Sequence, residues 1–373
     1  MSSVNRERLL KIFTELTAID SLSFKEGAMA GAVIRILEDL GIPVTEDDSC
    51  DRTGSDAGNL FAKFYDESKE GKPAVLFSAH MDTVAPGISK KAVLHEDGKI
   101  TSDGSTILGA DDVAGIAEII EAVQEIMEEG GEHENIELFF PVAEEAFTVG
   151  SSAFDISRSN ADKAFFLDRE GDVGSVTMSE PTLISFTVNI KGRASHAGFA
   201  PEKGINAIVI ASKAIASLPV GRVDSDTTLA IGTIEGGVAV NVVPEKAVIK
   251  GEIRSRSDEK AFDTLEIVKK AFEKEASEAG GESAFQYEKH LTAYKVPEDS
   301  KALSDYKKAI GKLGISLIKE DSFGGSDCNT FKKHCIDSIC IANAMWNIHT
   351  TDEYTLVDEM VKVTEIIKDI MKG

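Results

Sequence analysis

Acidic and imidazole side chains close the apolar runs of this chain, and that placement limits what it can fold into. Ala74 to Ala79 (AVLFSA) is a continuous apolar run that stops at His80-Met81-Asp82. Ala110-Asp111-Asp112, Ala143-Glu144-Glu145 and Leu167-Asp168 close three further strand-like or strand-to-loop segments. A run without polar alternation suits a strand buried on both faces. In open α/β sheets, the crevice at the carboxyl ends of such strands is where ligands bind. Carboxylates converging there repel one another unless a cation neutralises them. His80 and the distant His349 supply the nitrogen donors that zinc favours beside oxygens. Asp82, two residues past His80 on the same strand face, is placed to hydrogen-bond the imidazole and set its tautomer. Taken singly, each motif has an ordinary reading: a structural strand end, a solvated Glu144-Glu145 pair, a helix cap at Asp111-Asp112. Their order along the chain, with a late histidine, singles them out.

At 373 residues the chain exceeds the usual limit of one hydrophobic core, so two domains are expected. The first half alternates strands and helices. Val113, Ile116, Ala117, Ile120, Val123 and Met127 recur at helical spacing, and Gly130-Gly131 stops that helix. ENIELFFPVAEE and DKAFFLD read as two more strands, which makes an α/β sheet domain. From about Glu180 the pattern becomes β-α-β-β-α-β, suiting a ferredoxin-like α+β domain. We therefore expect a catalytic metal-binding domain of residues 1–179 and 297–373, a central mixed sheet flanked by helices. A smaller ferredoxin-like domain, 180–296, interrupts it.

Forty basic against 64 acidic residues leave a net charge of −24, which disfavours nucleic acid and anionic membrane surfaces as partners. No apolar run approaches the roughly 20 residues of a membrane-spanning helix. MSSVNRERLLKIFTEL reads as a charged amphipathic helix, so a cytoplasmic location is expected. Cys50, Cys328, Cys335 and Cys340 form no C-x-x-C pair and read as reduced thiols, which leaves any metal to His, Asp and Glu. Ser195-His196 lacks a G-x-S-x-G elbow, and Cys328 has no evident partner set for nucleophilic work. His95, His133, His290 and His334 read as surface residues.

FSAHMDTVAPG, ILGADDVAGIAEII, VAEEAFTVGSS, FFLDREG and NIHTTDEY occur in this order along essentially the whole chain. Together they resemble the motifs of the peptidase T family, among the zinc exopeptidases that include carboxypeptidase G, acetylornithine deacetylase and aminoacylase. The resemblance implies hydrolysis of short peptides at two zinc ions, with cobalt or manganese as substitutes. Asp111 would bridge them, His80 and Asp168 completing one position and Glu145 and His349 the other. Glu144 would be the general base, Asp82 would aim His80, and a cis peptide is expected after Asp111. In the inserted domain, GRASHAG implies an oxyanion-stabilising role for His196. GGVAVNVVPEKA implies a substrate contact by Asn241, and GEIRSR a carboxylate grip by Arg254 in preference to Arg256. SFGGSDCNTF (322–331) resembles a substrate loop. The resemblance also implies that the inserted domain, 180–296, is a lid and dimerisation domain, with a homodimer formed through it. Val113 replaces the lysine common in peptidase T, which affects no metal ligand, and HAG replaces HPG, a change that bears on loop rigidity and the specificity subclass. Carboxypeptidases and N-acyl-amino-acid deacylases keep the same catalytic core, so the class of substrate end stays open at this point.

Overall fold

A computed structural model describes residues 4–373. The buried runs form the centre of a nine-stranded mixed sheet. Its main path comprises β1 (Val44–Glu46), β2 (Leu60–Phe64), β3 (Ala74–Ser78), β4 (Asn135–Phe140), β5 (Ala161–Arg169), β6 (Ser175–Glu180), β7 (Tyr294–Lys295) and β8 (Asp337–Ala342). The spatial order is β1-β2-β4-β3-β5-β8-β6-β7, and Ile318–Asp321 pairs with β6. β4, β3, β5 and β8 are mutually parallel, and antiparallel strands flank them. Every residue of β3 and β4 is buried. The apolar run of β3 suits this, while the buried Glu137 of β4 is satisfied by hydrogen bonds from Tyr65, Ser159 and Asn160. Phe77 on β3 stacks on Phe165 of β5 with centroids 5.3 Å apart.

Helices Lys301–Lys312 and Asp327–Lys333 pack on this sheet, as does one member of a group of three: α1 (Arg6–Thr17), α2 (Ala110–Glu129) and α3 (Val357–Lys372). α2 lies against β3 and β5 on one side and against α1 and α3 on the other. It is therefore buried nearly all round, where its periodicity predicts a single apolar face. Met127, assigned to that face, is 40% exposed because it lies in the last turn, beyond the cover. Among the described residues, no helix is long and apolar enough to cross a membrane.

The chain divides into two compact units. One comprises the described residues up to Met178 with Lys295–Ser322 and Ser326–Gly373; the other is Ser179–Tyr294 with Phe323–Gly325. In the second unit Thr182–Lys191, Thr227–Gly236, Lys246–Ser255 and Glu282–Leu291 form an antiparallel sheet. Numbered in sequence, the strands lie in the order 2-3-1-4, the ferredoxin-like arrangement, with Gly221–Arg222 added at the outer edge. Helices Ala207–Ser217 and Asp258–Glu278 close a core of Phe186, Val188, Ile249, Ile253 and Phe272. Gly251 is required where strands and core crowd, because a Cβ there would lie 2.3 Å from the Ala230 carbonyl oxygen and 2.4 Å from Phe186. The first of these helices begins at Ala207, capped by the Asn206 side chain, and Pro201–Lys203 forms a separate short turn before it.

Candidate metal centre

Because β3, β4 and β5 are parallel, their carboxyl ends open on one edge of the sheet. His80 and Asp82 follow β3, Glu144 and Glu145 follow β4, and Asp168 lies near the end of β5. Asp111 and Asp112 do not end a strand. They sit in the first turn of α2 in non-helical conformations, and the peptide between them is cis. His349 lies in the loop between two short paired strands, Met345–Trp346 and Tyr354–Leu356.

The two oxygens of Asp111 face two different histidines. Oδ1 is 3.0 Å from His80 Nε2, and Oδ2 is 3.1 Å from His349 Nε2. A second carboxylate flanks each contact: Asp168 lies 3.7 Å from His80 Nε2, and Glu145 lies 2.8 Å from His349 Nε2. The donor atoms of His80, Asp111 and Asp168 lie within 4.8 Å of one another, as do those of Asp111, Glu145 and His349. His80, Glu144 and Glu145 meet the same limit.

His80 Nδ1 donates to the main-chain carbonyl of Asp82 at 2.9 Å, while the Asp82 carboxylate stands at 3.4 Å. The carbonyl, and not the carboxylate expected from the sequence, is the nearer partner. The Asp82 carboxylate turns to the neighbouring loop, accepting the N–H groups of Glu144 (2.8 Å) and Glu145 (3.1 Å) and the Ser23 hydroxyl (2.7 Å). A carbonyl only accepts, so Nδ1 carries the proton and Nε2 is the atom available to a cation.

Burial and repulsion govern the charges. Burial, then the neighbouring Asp168, pushes Glu144 well above the usual carboxylate range. Asp168 is raised by burial, which the nearby His80 opposes without overcoming. Burial also raises Glu145, with Asp111 adding to it. Burial would raise Asp111 too, but hydrogen bonds from His349 and His80 prevail and hold it below the usual range. Hydrogen bonds to Asp111 and Glu145 push His349 up to about 10. Among the described residues, His80 and His349 are the only cationic groups paired with these carboxylates. A nitrogen and carboxylate donor set with one doubly facing Asp and no Lys or Arg fits two adjacent divalent cations.

The contacts of Asp112, and several other residues around this set, escaped the sequence reading. Asp112 accepts the His80 N–H at 3.0 Å and the Asn343 side-chain amide at 2.6 Å. Glu353 is fully buried and accepts the N–H groups of Gly109 and Asp111. Asp327, in the SFGGSDCNTF segment, is buried, and burial pushes its carboxyl up to about 7. The only local signal for Glu353 is its place four residues after His349. Asn343 carries no signal. Contrary to expectation, His133 is buried and stacks on Phe64 at 4.2 Å, and His290 is half-buried beside Ser185 at 2.7 Å. His95 and His334 are exposed.

His196, Asn241 and Arg254 belong to the second unit. His196 is exposed, and its Nδ1 accepts the N–H groups of Gly198 (3.1 Å) and Phe199 (3.2 Å), so the ring proton points outward on Nε2. Ala197 N donates to the Asn241 carbonyl at 2.9 Å, which brings the two loops together. Arg254 does not join them. Its guanidinium engages Glu252 at 2.8 and 3.3 Å and the Phe323 carbonyl at 3.0 Å. Arg256 donates to the Ser225 carbonyl and to Asp226.

The sequence matches the peptidase dimerisation domain of M20 type over residues 179–283, and peptidase family M28 over residues 59–213. It is 39% identical to the uncharacterised protein YqjE of Bacillus subtilis (strain 168), covering 99% of both chains. The fold is similar to the crystal structure of aminopeptidase PepT from Bacillus cereus at 38% identity and a TM-score of 0.91, covering 99% of this chain and 98% of the other. It is also similar to a tripeptidase from Staphylococcus aureus at 32% identity and a TM-score of 0.94, with the same coverage. A catalytic-type acid cluster on this sheet edge, joined to such relatives over nearly its whole length, makes the chain a peptidase of the peptidase T-like group within the M20 metallopeptidases.

Proposed function

We propose that the chain is an aminopeptidase of short peptides, of tripeptidase type, working with two zinc ions that cobalt or manganese can replace. The observation that carries the reading is Asp111, whose two oxygens each face a different histidine, each pair flanked by a further carboxylate. His80, Asp111 and Asp168 would hold one ion, and Asp111, Glu145 and His349 the other. When bound, such ions polarise the scissile carbonyl and acidify the attacking water.

The chain's own groups do the rest. Glu144, buried and raised well above the ordinary range, accepts a proton from the water and passes it to the leaving nitrogen. Asp82 holds the Glu144 backbone and, through its carbonyl, the His80 ring. His196 offers Nε2–H to the developing oxyanion, as its Nδ1 contacts leave that proton outward. Asn241 contacts substrate beside it. Arg254 retains its role as carboxylate grip only by exchanging part of its contact with Glu252. The dimerisation-domain match at 179–283 supports a homodimer through the second unit.

The test is a paired assay. Zinc-loaded protein is incubated with a free-amine tripeptide and with its N-acetylated twin, and products are separated by mass spectrometry. Release of the N-terminal residue from the free amine alone is expected. Cleavage of the acetylated peptide alone would replace the aminopeptidase reading with a deacylase.

A further inference from the structure

His349 sits on a loop, and a loop tip alone does not hold a side chain to the precision a metal ligand requires. The loop closes at Glu353, and the next residues, Tyr354–Leu356, pair with both Met345–Trp346 and Lys99–Thr101. Thr355 adds a hydrogen bond to the Ala344 carbonyl at 2.7 Å, and Trp346 stacks on Tyr354 at 5.3 Å. Glu353 is therefore the rigid foot of the loop that carries His349.

Its carboxylate leaves that loop altogether. Oε2 accepts the Gly109 N–H at 2.7 Å and Oε1 accepts the Asp111 N–H at 3.0 Å, 244 and 242 residues away in sequence. The side chain is fully buried, and the structure gives it no Lys or Arg within ion-pair distance among the described residues. Lys90, which lies against Gly109, spends its ammonium on the carbonyls of Ile19 (2.8 Å) and Gly87 (3.3 Å). A buried carboxylate is costly unless it is fully hydrogen-bonded, and here backbone N–H groups of the Asp111 turn provide those bonds.

We propose that Glu353 is a positioning residue that fixes the Asp111 turn to the base of the His349 loop, so that the shared carboxylate and the histidine facing it are set as one unit. The inference rests on the metal-site reading above. A mere packing role would be served by any side chain of similar volume. The geometry here needs two acceptor oxygens, one for each N–H. Gln offers one oxygen and one NH₂, so one backbone donor must lose its partner.

Glu353→Gln is compared with wild type in three measurements on the full-length protein: zinc affinity by equilibrium dialysis, the visible spectrum of the cobalt-loaded form, and melting of the metal-free form. The expected result is an affinity loss of about 10- to 100-fold for at least one ion, the usual effect of removing a group that orients ligands. An altered cobalt spectrum should accompany it. Unchanged affinity and spectrum in Glu353→Gln would overturn the inference while leaving the metal reading intact. Wild type that binds no zinc, cobalt or manganese would overturn the metal reading itself. Where Glu353→Gln also melts lower, His349→Ala and the double variant complete a cycle. If Glu353 acts through the His349 position, its loss costs little extra affinity once His349 is gone; two fully additive losses would overturn the inference.

Discussion

The Asp82 carboxylate lies beneath the start of the Glu144 loop, accepting the Glu144 N–H at 2.8 Å with one oxygen and the Glu145 N–H at 3.1 Å with the other. The same residue holds the His80 ring through its carbonyl. One residue thus sets the His80 ring with its main chain and the Glu144 loop with its side chain. Asp82→Asn keeps the carbonyl contact but turns one acceptor into an NH₂ donor. Turnover should fall by about 10- to 100-fold, with zinc content close to wild type. Parallel measurement of kcat and bound metal checks this, and full activity in Asp82→Asn would refute it.

Glu144 is buried, and burial with the neighbouring Asp168 pushes its carboxyl well above the usual range. Glu144→Gln preserves shape and removes the proton acceptor. A loss of about 10²- to 10⁴-fold in kcat is expected, with metal affinity changed far less. Steady-state kinetics beside metal analysis decides, and an active Glu144→Gln would assign the base elsewhere.

Gly198 and Phe199 occupy His196 Nδ1, which leaves Nε2 as the ring's donor. His196→Ala should lower kcat by about 10²- to 10³-fold, the usual cost of one oxyanion donor, while zinc binding stays as in wild type. Zinc lost together with turnover would place His196 in the metal set instead.

Burial raises the Asp327 carboxyl from 3.8 to about 7. The folded state therefore binds its proton more tightly than the unfolded chain does. The stability it contributes is fully present below about pH 4 and is lost as pH rises to about 7. Metal-free protein should weaken over that window, by an upper limit on the order of 4 kcal/mol from this group. Asp327→Asn should weaken less steeply across it. Urea unfolding in chelator at pH 4.5, 6 and 7.5 measures the difference, and parallel pH profiles for the two proteins would count against it.

Much of the centre was legible in the chain because its signals are local. Unbroken apolar runs such as Ala74–Ser78 bury on both faces whatever surrounds them, and a residue just past such a strand must lie at its carboxyl end. The His80, Glu144, Glu145 and Asp168 neighbourhood follows from that alone. Helix burial was less legible: α2 shows an amphipathic period, yet its surroundings cover nearly every face, since neighbours in space and not in sequence decide exposure. His133 is buried for the same reason, through a ring stack with Phe64.

By itself, then, the sequence determined the strand and helix alternation, the ferredoxin-like insertion and the kinds of donor atom available. Only the tertiary structure decided which atom of each residue is used. Asp82 meets His80 with its carbonyl because the chain bends after β3, freeing the carboxylate for the Glu144 loop. Asn343 reaches Asp112 across 231 residues, and Glu353 reaches Asp111 across 242. Such contacts exist because buried polar groups must find partners, and packing of the whole chain settles which partners are in reach.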